Sequence, residues 1–412
     1  MSSPAMSSSR RFILQRMMFS SKPYPIGRDL PLKQRPTFRG PSSSLLSRVR
    51  FLINDISDLD VAAKHARLAA RKKMNPEIAT LISKTIIGAM CNAGRSDDAL
   101  DLFDLFLNKS KIKPDIACCN FIIKSHCEQG RLDEALGIYS HLLSNKPSPD
   151  HNTYDILTKA MVDAGMMDQA LDLLLKGRAD LSNFEKPGMY MNLIRGYLEQ
   201  RNLDMAYQLR GDFKTCSIRN EIAILESVFV EYLFKQGKDE EAMDLYRSAV
   251  TLNKNGLTEN AIVGNVYLKL LLKYGRKTQA WALFEYMLDY YDLCYTWEDA
   301  TDALNLMVNE CFEMGRFSDA MDIFTKAKAK VKYNSVLVGV YRNLITRLCQ
   351  NGRLSEAESL FDELLKEEVL PDDETYKAMI RAYAKSGRVE DAVETANKMM
   401  TSKVHKVTKL FF

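Results

Sequence analysis

Residues 120–150 read NFIIKSHCEQGRLDEALGIYSHLLSNKPSPD. Phe121, Ile122 and Ile123, then Leu132, Ala135, Leu136, Ile138, Tyr139, Leu142 and Leu143, fall at helical spacing, which predicts two short amphipathic helices. Between them lies Gln129-Gly130-Arg131, where glycine supplies the left-handed backbone that ends a helix. Such a hairpin is too small to bury its own apolar faces, so the fold turns on what it packs against.

The same turn recurs along the chain. It is found at Gly94 (CNAGR), Gly165 (VDAGM), Gly237 (KQGK), Gly275 (KYGR), Gly315 (EMGR), Gly352 (QNGR) and Gly387 (KSGR), with Arg201 in the glycine's place in EQRN. Five residues after each turn position stands an alanine: Ala99, Ala135, Ala170, Ala206, Ala242, Ala280, Ala320, Ala357 and Ala392. A small residue at one fixed place marks where the two helices of a hairpin cross closely. The spacing predicts nine units, 80–115, 116–150, 151–186, 187–222, 223–260, 261–300, 301–337, 338–372 and 373–407. A degenerate hairpin precedes them at 43–79, with helices near 44–54 and 59–73, and a short tail follows at 408–412. Each hairpin packs on its copies, giving an all-α, right-handed α-solenoid superhelix of about ten hairpins of 35–40 residues.

At 412 residues and 46% hydrophobic content, the chain has ample material for a large folded body. No apolar run reaches the roughly 18 residues needed to span a bilayer, so no membrane contact is expected. Eight cysteines are scattered without a CxxC pair. Cys91, Cys127, Cys311 and Cys349 close apolar helical segments, as buried thiols of a reducing compartment do. The net charge of +4 is unevenly placed: residues 1–40 carry eight Arg or Lys against one acid, Asp29, so the remainder is slightly acidic. Residues 1–42, rich in Ser and Arg and containing RRFILQRMMF, read as a disordered organellar import leader. The Arg-rich amphipathic stretch favours the mitochondrion, hence its matrix, over the chloroplast, with cleavage between Arg16 and Ser21.

Three units close on a proline–aspartate pair, Pro114-Asp115, Pro149-Asp150 and Pro371-Asp372. With first-helix patterns CNFIIKSHCEQGR, VYRNLITRLCQNGR and ETYKAMIRAYAKSGR, the chain resembles the pentatricopeptide repeat family over residues 80–407, in its plain P class of plant organellar type. The resemblance implies that the fifth and last residues of each repeat together read one RNA base. On that register Asn120 with Asp150 resembles a uracil reader and Ser227 with Asn260 an adenine reader. Lys84/Asp115, Asp155/Lys186, Met191/Ile222, Asn265/Ala300, Asn305/Leu337, Arg342/Asp372 and Lys377 of the last unit depart from the family's pattern. Asn265 and Asn305 retain amides suited to pyrimidines, whereas Met191/Ile222 has no edge to offer.

Cations recur at the ninth place of the first helices (Lys124, Lys159, Arg195, Lys269, Arg381) and at the thirteenth (Lys235, Lys273, Lys385), a stripe able to neutralise phosphates. Glu128, Asp163, Glu199, Glu231 and Glu313 interrupt it. The five histidines form no metal-ligand spacing, and KYGRKTQA occupies a repeat turn without the glycine pattern of a phosphate loop. Neither catalysis nor a cofactor is expected, and Trp281 and Trp297 read as packing residues. Two functions compete: a non-catalytic adaptor for single-stranded organellar RNA in processing, splicing, editing or translation, and a scaffold for protein partners in a ribosomal or editing complex. The tail TSKVHKVTKLFF lacks a polar cap. The end of the last unit, with Val393, Ala396, Met399 and Met400, is therefore expected to lie uncovered and to meet a partner, another copy of the chain, or repeats absent from a shortened form.

Overall fold

The computed structural model describes residues 42–411 except 55–56, 72–74, 111, 113–114, 145–146, 181–186, 215–218, 253–260, 291–296, 331–336 and 367–370. Residues 1–42, read above as an import leader, lie almost wholly outside the described residues. Among the described residues there are twenty α-helices, a π-helical segment at Leu105–Lys109 and no strand. They run as hairpins: α1 (Ser42–Asn54) with α2 (Leu59–Arg71), α3 (Pro76–Asn92) with α4 (Ser96–Asp104), and α5 (Ile116–Glu128) with α6 (Leu132–Ser144). Next come α7 (His151–Asp163) with α8 (Met167–Asp180), α9 (Gly188–Glu199) with α10 (Leu203–Lys214), and α11 (Arg219–Lys235) with α12 (Asp239–Leu252). Then follow α13 (Ala261–Lys273) with α14 (Lys277–Tyr290) and α15 (Trp297–Glu313) with α16 (Phe317–Lys330). The last pairs are α17 (Val338–Gln350) with α18 (Leu354–Lys366) and α19 (Asp373–Lys385) with α20 (Val389–Phe411).

Every glycine singled out by the repeat ends its first helix at a φ between +70° and +77°. At Gly130 the turn is closed by two backbone bonds, Gly130 N–H to the Cys127 carbonyl at 3.0 Å and Arg131 N–H to the His126 carbonyl at 2.9 Å. Arg201 adopts the same left-handed conformation at φ +60°, at a steric cost of about 1 kcal/mol that glycine avoids. All nine alanines are buried, eight at 0% and Ala392 at 1% exposure. A methyl group there lets each second helix lie close on its first.

Successive first helices pack side by side from α3 to α19, while second helices make no comparable run of contacts among the described residues. The layer whose members touch is the inside of the curve, so the first helices form the concave wall of an α-solenoid. Tyrosines pin the seams: Tyr154, Tyr341 and Tyr376 meet Tyr139, Phe324 and Phe361 of the preceding hairpin edge to face at 4.7–5.8 Å. The Tyr154 hydroxyl donates to Asp180 Oδ2 at 2.7 Å and that of Tyr341 to Glu363 Oε1 at 2.8 Å. Two helices each present opposite faces to separate stretches of core. On α5, Cys118 and Ile122 face the N-terminal hairpins and Cys119 and Ile123 the middle ones; on α11, Val228 and Phe229 divide from Val230 and Phe234 in the same way.

Two places depart from the regular repeat. First helices α3, α11 and α15 begin four residues before Thr80, Ala223 and Thr301, because an extra helical turn precedes the repeat start. For α3 its cause is local: Asn75 caps the helix by accepting from Glu77 N–H at 2.8 Å, and Pro76 occupies the first turn. The C-terminal end is also less bare than its sequence implies. Ala396 is 6% exposed, Met399 packs on the core, and α20 runs against α1, so the first and last hairpins touch. Val393 and Met400 remain exposed.

Candidate nucleic-acid interface

Asp115, Asp150 and Asp372 each cap the next first helix: one carboxylate oxygen accepts the N–H of Cys118, Thr153 and Thr375 respectively, each at 2.9 Å. This explains why a unit closes on Pro-Asp: proline stops the preceding segment, and the aspartate satisfies orphan donors of the helix that follows. Each capping aspartate is brought to the fifth-place residue of its unit. Lys84 Nζ lies 3.2 Å from Asp115 Oδ2, Arg342 Nη1 donates to Asp372 Oδ2 at 2.7 Å, and Asn120 Nδ2 donates to Asp150 Oδ1 at 2.9 Å.

The middle case differs from the other two. Thr153 Oγ1 donates to Asn120 Oδ1 at 2.7 Å and accepts from Asp150 N–H at 3.1 Å, locking the amide's orientation. Asn120 is itself only 7% exposed; its second N–H and Asp150 Oδ2 have no partner among the described residues. In the Arg342 unit the corresponding oxygen is occupied by the guanidinium. Burial would push Asp372 upward, but hydrogen bonds from Thr375 and the Arg342 charge outweigh it and hold the carboxyl below its ordinary value.

At the remaining fifth places several of the partner positions lie outside the described residues. Ser227 is buried and donates to the Ile224 carbonyl at 2.6 Å; Asn260 and Lys186 lie outside the described residues. Asp155 sits against the start of α9, where Gly188 leaves room for it: a Cβ there would fall 2.2 Å from Asp155 Oδ2. Met191 and Ile222 pack on the core. Asn265 is 6% exposed, and the Ala300 side chain falls outside the description. Asn305 Oδ1 accepts from Asn343 Nδ2 at 3.1 Å, and Asn343 also donates to Asn309 at 2.9 Å, an amide chain from α15 to α17; Leu337 is fully buried. Lys377 pairs with Glu374 on its own helix.

The cation stripe is partly neutralised. Lys124 pairs with Glu128 at 3.7 Å and Lys159 with Asp163 at 2.5 Å, whereas Lys269, Arg381 and Lys385 make no ion pair among the described residues. Between α9 and α11 lies a hollow of about 210 Å³ lined by Arg195, Glu199, Arg201, Glu231 and Lys235. Lys273, from α13, reaches Glu231 Oε1 at 2.5 Å. Burial would raise the Glu231 carboxyl, but the Lys273 hydrogen bond and the charges of Lys273, Lys235 and Arg195 outweigh it and leave it below its ordinary value. Between α10 and α11, Glu226, with a side chain 5% exposed, holds Arg210 in a two-pronged pair at 2.7 and 2.9 Å and Lys214 at 2.6 Å.

Sequence reasoning missed Thr153, Thr375 and the Glu226 cluster. The threonines carry a readable signal, Asp-x-x-Thr at a helix start. Glu226 carries none, because Arg210 lies 16 residues away on another helix. Trp281 packs as expected, edge-on to Phe284 and under the Arg316 guanidinium, while the Trp297 side chain lies outside the description. The six described cysteines are free thiols, and burial pushes Cys91, Cys127, Cys311 and Cys349 up to about 11.

The sequence pattern of the PPR repeat family matches residues 114–163 and 337–385, and that of the PPR repeat matches 84–110 and 374–404. A mitochondrial pentatricopeptide repeat-containing protein of Arabidopsis thaliana is 39% identical over 90% of this chain and 92% of its own length. A second from the same plant is 39% identical over 29% of this chain and 14% of its own. Among solved structures, yeast Rmd9p with a 16-nucleotide target RNA is 12% identical over 85% of this chain and 77% of its own, with a TM-score of 0.42. PPR10 with an 18-nucleotide psaJ RNA element is 16% identical at a TM-score of 0.35, over 86% of this chain and 63% of its own.

Proposed function

The chain belongs to the pentatricopeptide repeat family, and from that premise we propose that it is a non-catalytic adaptor that binds single-stranded RNA along its layer of first helices, in the mitochondrial matrix. The observation that carries the reading is the Asn120–Asp150–Thr153 arrangement, in which the amide is fixed by two hydrogen bonds while its second N–H and Asp150 Oδ2 keep no partner among the described residues. Uracil offers the complement, an N3–H to donate to Asp150 Oδ2 and a carbonyl oxygen to accept from Asn120. The choice of uracil over adenine carries over from the family resemblance. Binding holds the strand extended and open, so that enzymes of processing, splicing, editing or translation reach it.

The test is binding to single-stranded homopolymers at several salt concentrations. Uracil-rich RNA is expected to bind better than adenine-rich RNA, and Asn120→Ala to lose about 1 kcal/mol or more of that affinity, roughly five-fold. A second reading, a protein-interaction scaffold, is favoured by pairs that close on themselves, Lys84–Asp115 and Arg342–Asp372, and by the half-neutralised stripe. Equal binding of all four homopolymers, unchanged by Asn120→Ala, would select it.

A further inference from the structure

Three cations of the concave stripe come from different first helices, Arg195 from α9, Lys235 from α11 and Lys273 from α13, and all three act on one carboxylate, Glu231. Only Lys273 is in hydrogen-bond contact with it. Arg195 is also near enough to disfavour the Lys273 charge. Glu231 is the shielded member, its side chain 19% exposed against 57% for Lys273, and it stands at the wall of the hollow between α9 and α11. Of the stripe's other acids, Glu128 pairs with Lys124 and Asp163 with Lys159 on their own helices, while Glu199, on the wall of the same hollow, and Glu313 make no ion pair among the described residues.

We propose that Glu231 is a built-in rival of phosphate: it occupies the place where the three cations would otherwise converge on an RNA phosphodiester, and so limits the affinity of the chain for RNA. The inference rests on the RNA-binding reading. Its physical content is a competition. A carboxylate fixed by the fold is present at every RNA concentration, so a phosphate gains the three cations only by sharing or displacing it. Counterion release on binding is reduced by the charges Glu231 already holds. Glu231 would then be a determinant of affinity and salt dependence and would not itself read a base.

The experiment compares wild type with Glu231→Gln, which keeps the side chain's size and a hydrogen-bond acceptor, in binding a uridine oligonucleotide from low to moderate salt. Helix content by circular dichroism checks folding. The expected result is about five-fold tighter binding near 0.1 M salt and a log–log salt slope steeper by about one. Lys273→Gln, made in both backgrounds, should weaken binding more when residue 231 is glutamine than when it is glutamate, since only then is Lys273 free for phosphate. Glu128→Gln, which frees one exposed lysine, should change binding less. If wild type binds RNA but Glu231→Gln leaves affinity and slope unchanged, Glu231 is a plain inter-helix tie and the proposal is overturned while the RNA reading stands. If the folded proteins bind no RNA at all, the RNA reading fails and this inference with it. If Glu231→Gln does not fold, the wild-type background alone decides: a large loss on Lys273→Gln would show Lys273 already bound to phosphate and overturn the proposal, and little change would support it.

Discussion

Helix α9 has two neighbours in the concave layer, α7 and α11, and meets them in opposite ways. Toward α7 the seam is dry and close. A Cβ on Gly196 would lie 2.7 Å from Val162 Cγ1 and 2.9 Å from Met167 Sδ, so only glycine lets the hairpins approach this far. Toward α11 the seam opens into a hollow of about 210 Å³ bordered by Arg195, Glu231 and Lys235. The same repeat plan thus yields a packed joint and a charged one within a single helix. Apolar seams fix the spacing of the hairpins; the charged seam keeps groups in reach of water and of a charged ligand.

Closing the dry seam to a side chain should have the largest effect. Gly196→Leu is expected to destabilise by about 3 kcal/mol, measured by denaturant unfolding, because the branched chain must displace Val162 and Met167. Even Gly196→Ala should lose stability, although alanine is worth about 1 kcal/mol over glycine inside a helix. A stabilised Gly196→Ala would show that this seam is looser than its contacts suggest.

Next comes the ion cluster that ties α10 to α11. Glu226→Ala strands Arg210, whose side chain is 21% exposed, and should cost about 2 kcal/mol. The value stays below that of a fully buried pair because Lys214, at 42% exposure, recovers water. An unchanged unfolding midpoint would mean that the cluster is solvated as any surface pair is.

A smaller effect of opposite sign is expected at the end of α9. Arg201→Gly removes a left-handed backbone strain and should stabilise by about 0.5–1 kcal/mol, net of the added freedom of the unfolded chain. A lower thermal midpoint would instead assign the Arg201 side chain a contact worth more than the strain.

The smallest effect is a pH dependence. Glu231, Glu363 and Asp372 have folded values below their ordinary ones, so the stability they contribute is complete above the unfolded values, about 4 to 4.5, and lost as pH falls through the folded ones. Thermal midpoints should hold from about pH 7 to 5 and drop below about pH 4.5. That drop should be shallower in Glu231→Gln, which has one such carboxylate fewer.

How far the sequence carried these seams depends on the kind of signal. Turns and crossings are set by single residues at fixed spacing, so eight glycines at positive φ and nine buried alanines could be read directly. The start of a first helix is set by the segment before it, and the extra turns of α3, α11 and α15 fall outside any periodic mark. Of the base-reading pairs, three are brought together by an aspartate that must cap a helix anyway, which ties Asp115, Asp150 and Asp372 to a predictable position. Ser227 and Asn265, at 7% and 6% exposure, are as buried as Asn120 at 7%, but no capping aspartate is described beside them, and what stands opposite a fifth place is invisible in a list of residues. Glu231 was visible as an interruption of the cation stripe; that it is shared among three cations follows only from how α9, α11 and α13 stand together.

The contact of α20 with α1 changes how such a stack comes apart. A row of repeats bound only to its neighbours frays from its tips, since a terminal unit has one interface to lose where an inner unit has two. When the tips touch, each gains a second interface, and peeling either away strips cover from the other. Partial opening at one terminus is then coupled to the opposite terminus, and amide exchange at the two ends rises together instead of independently.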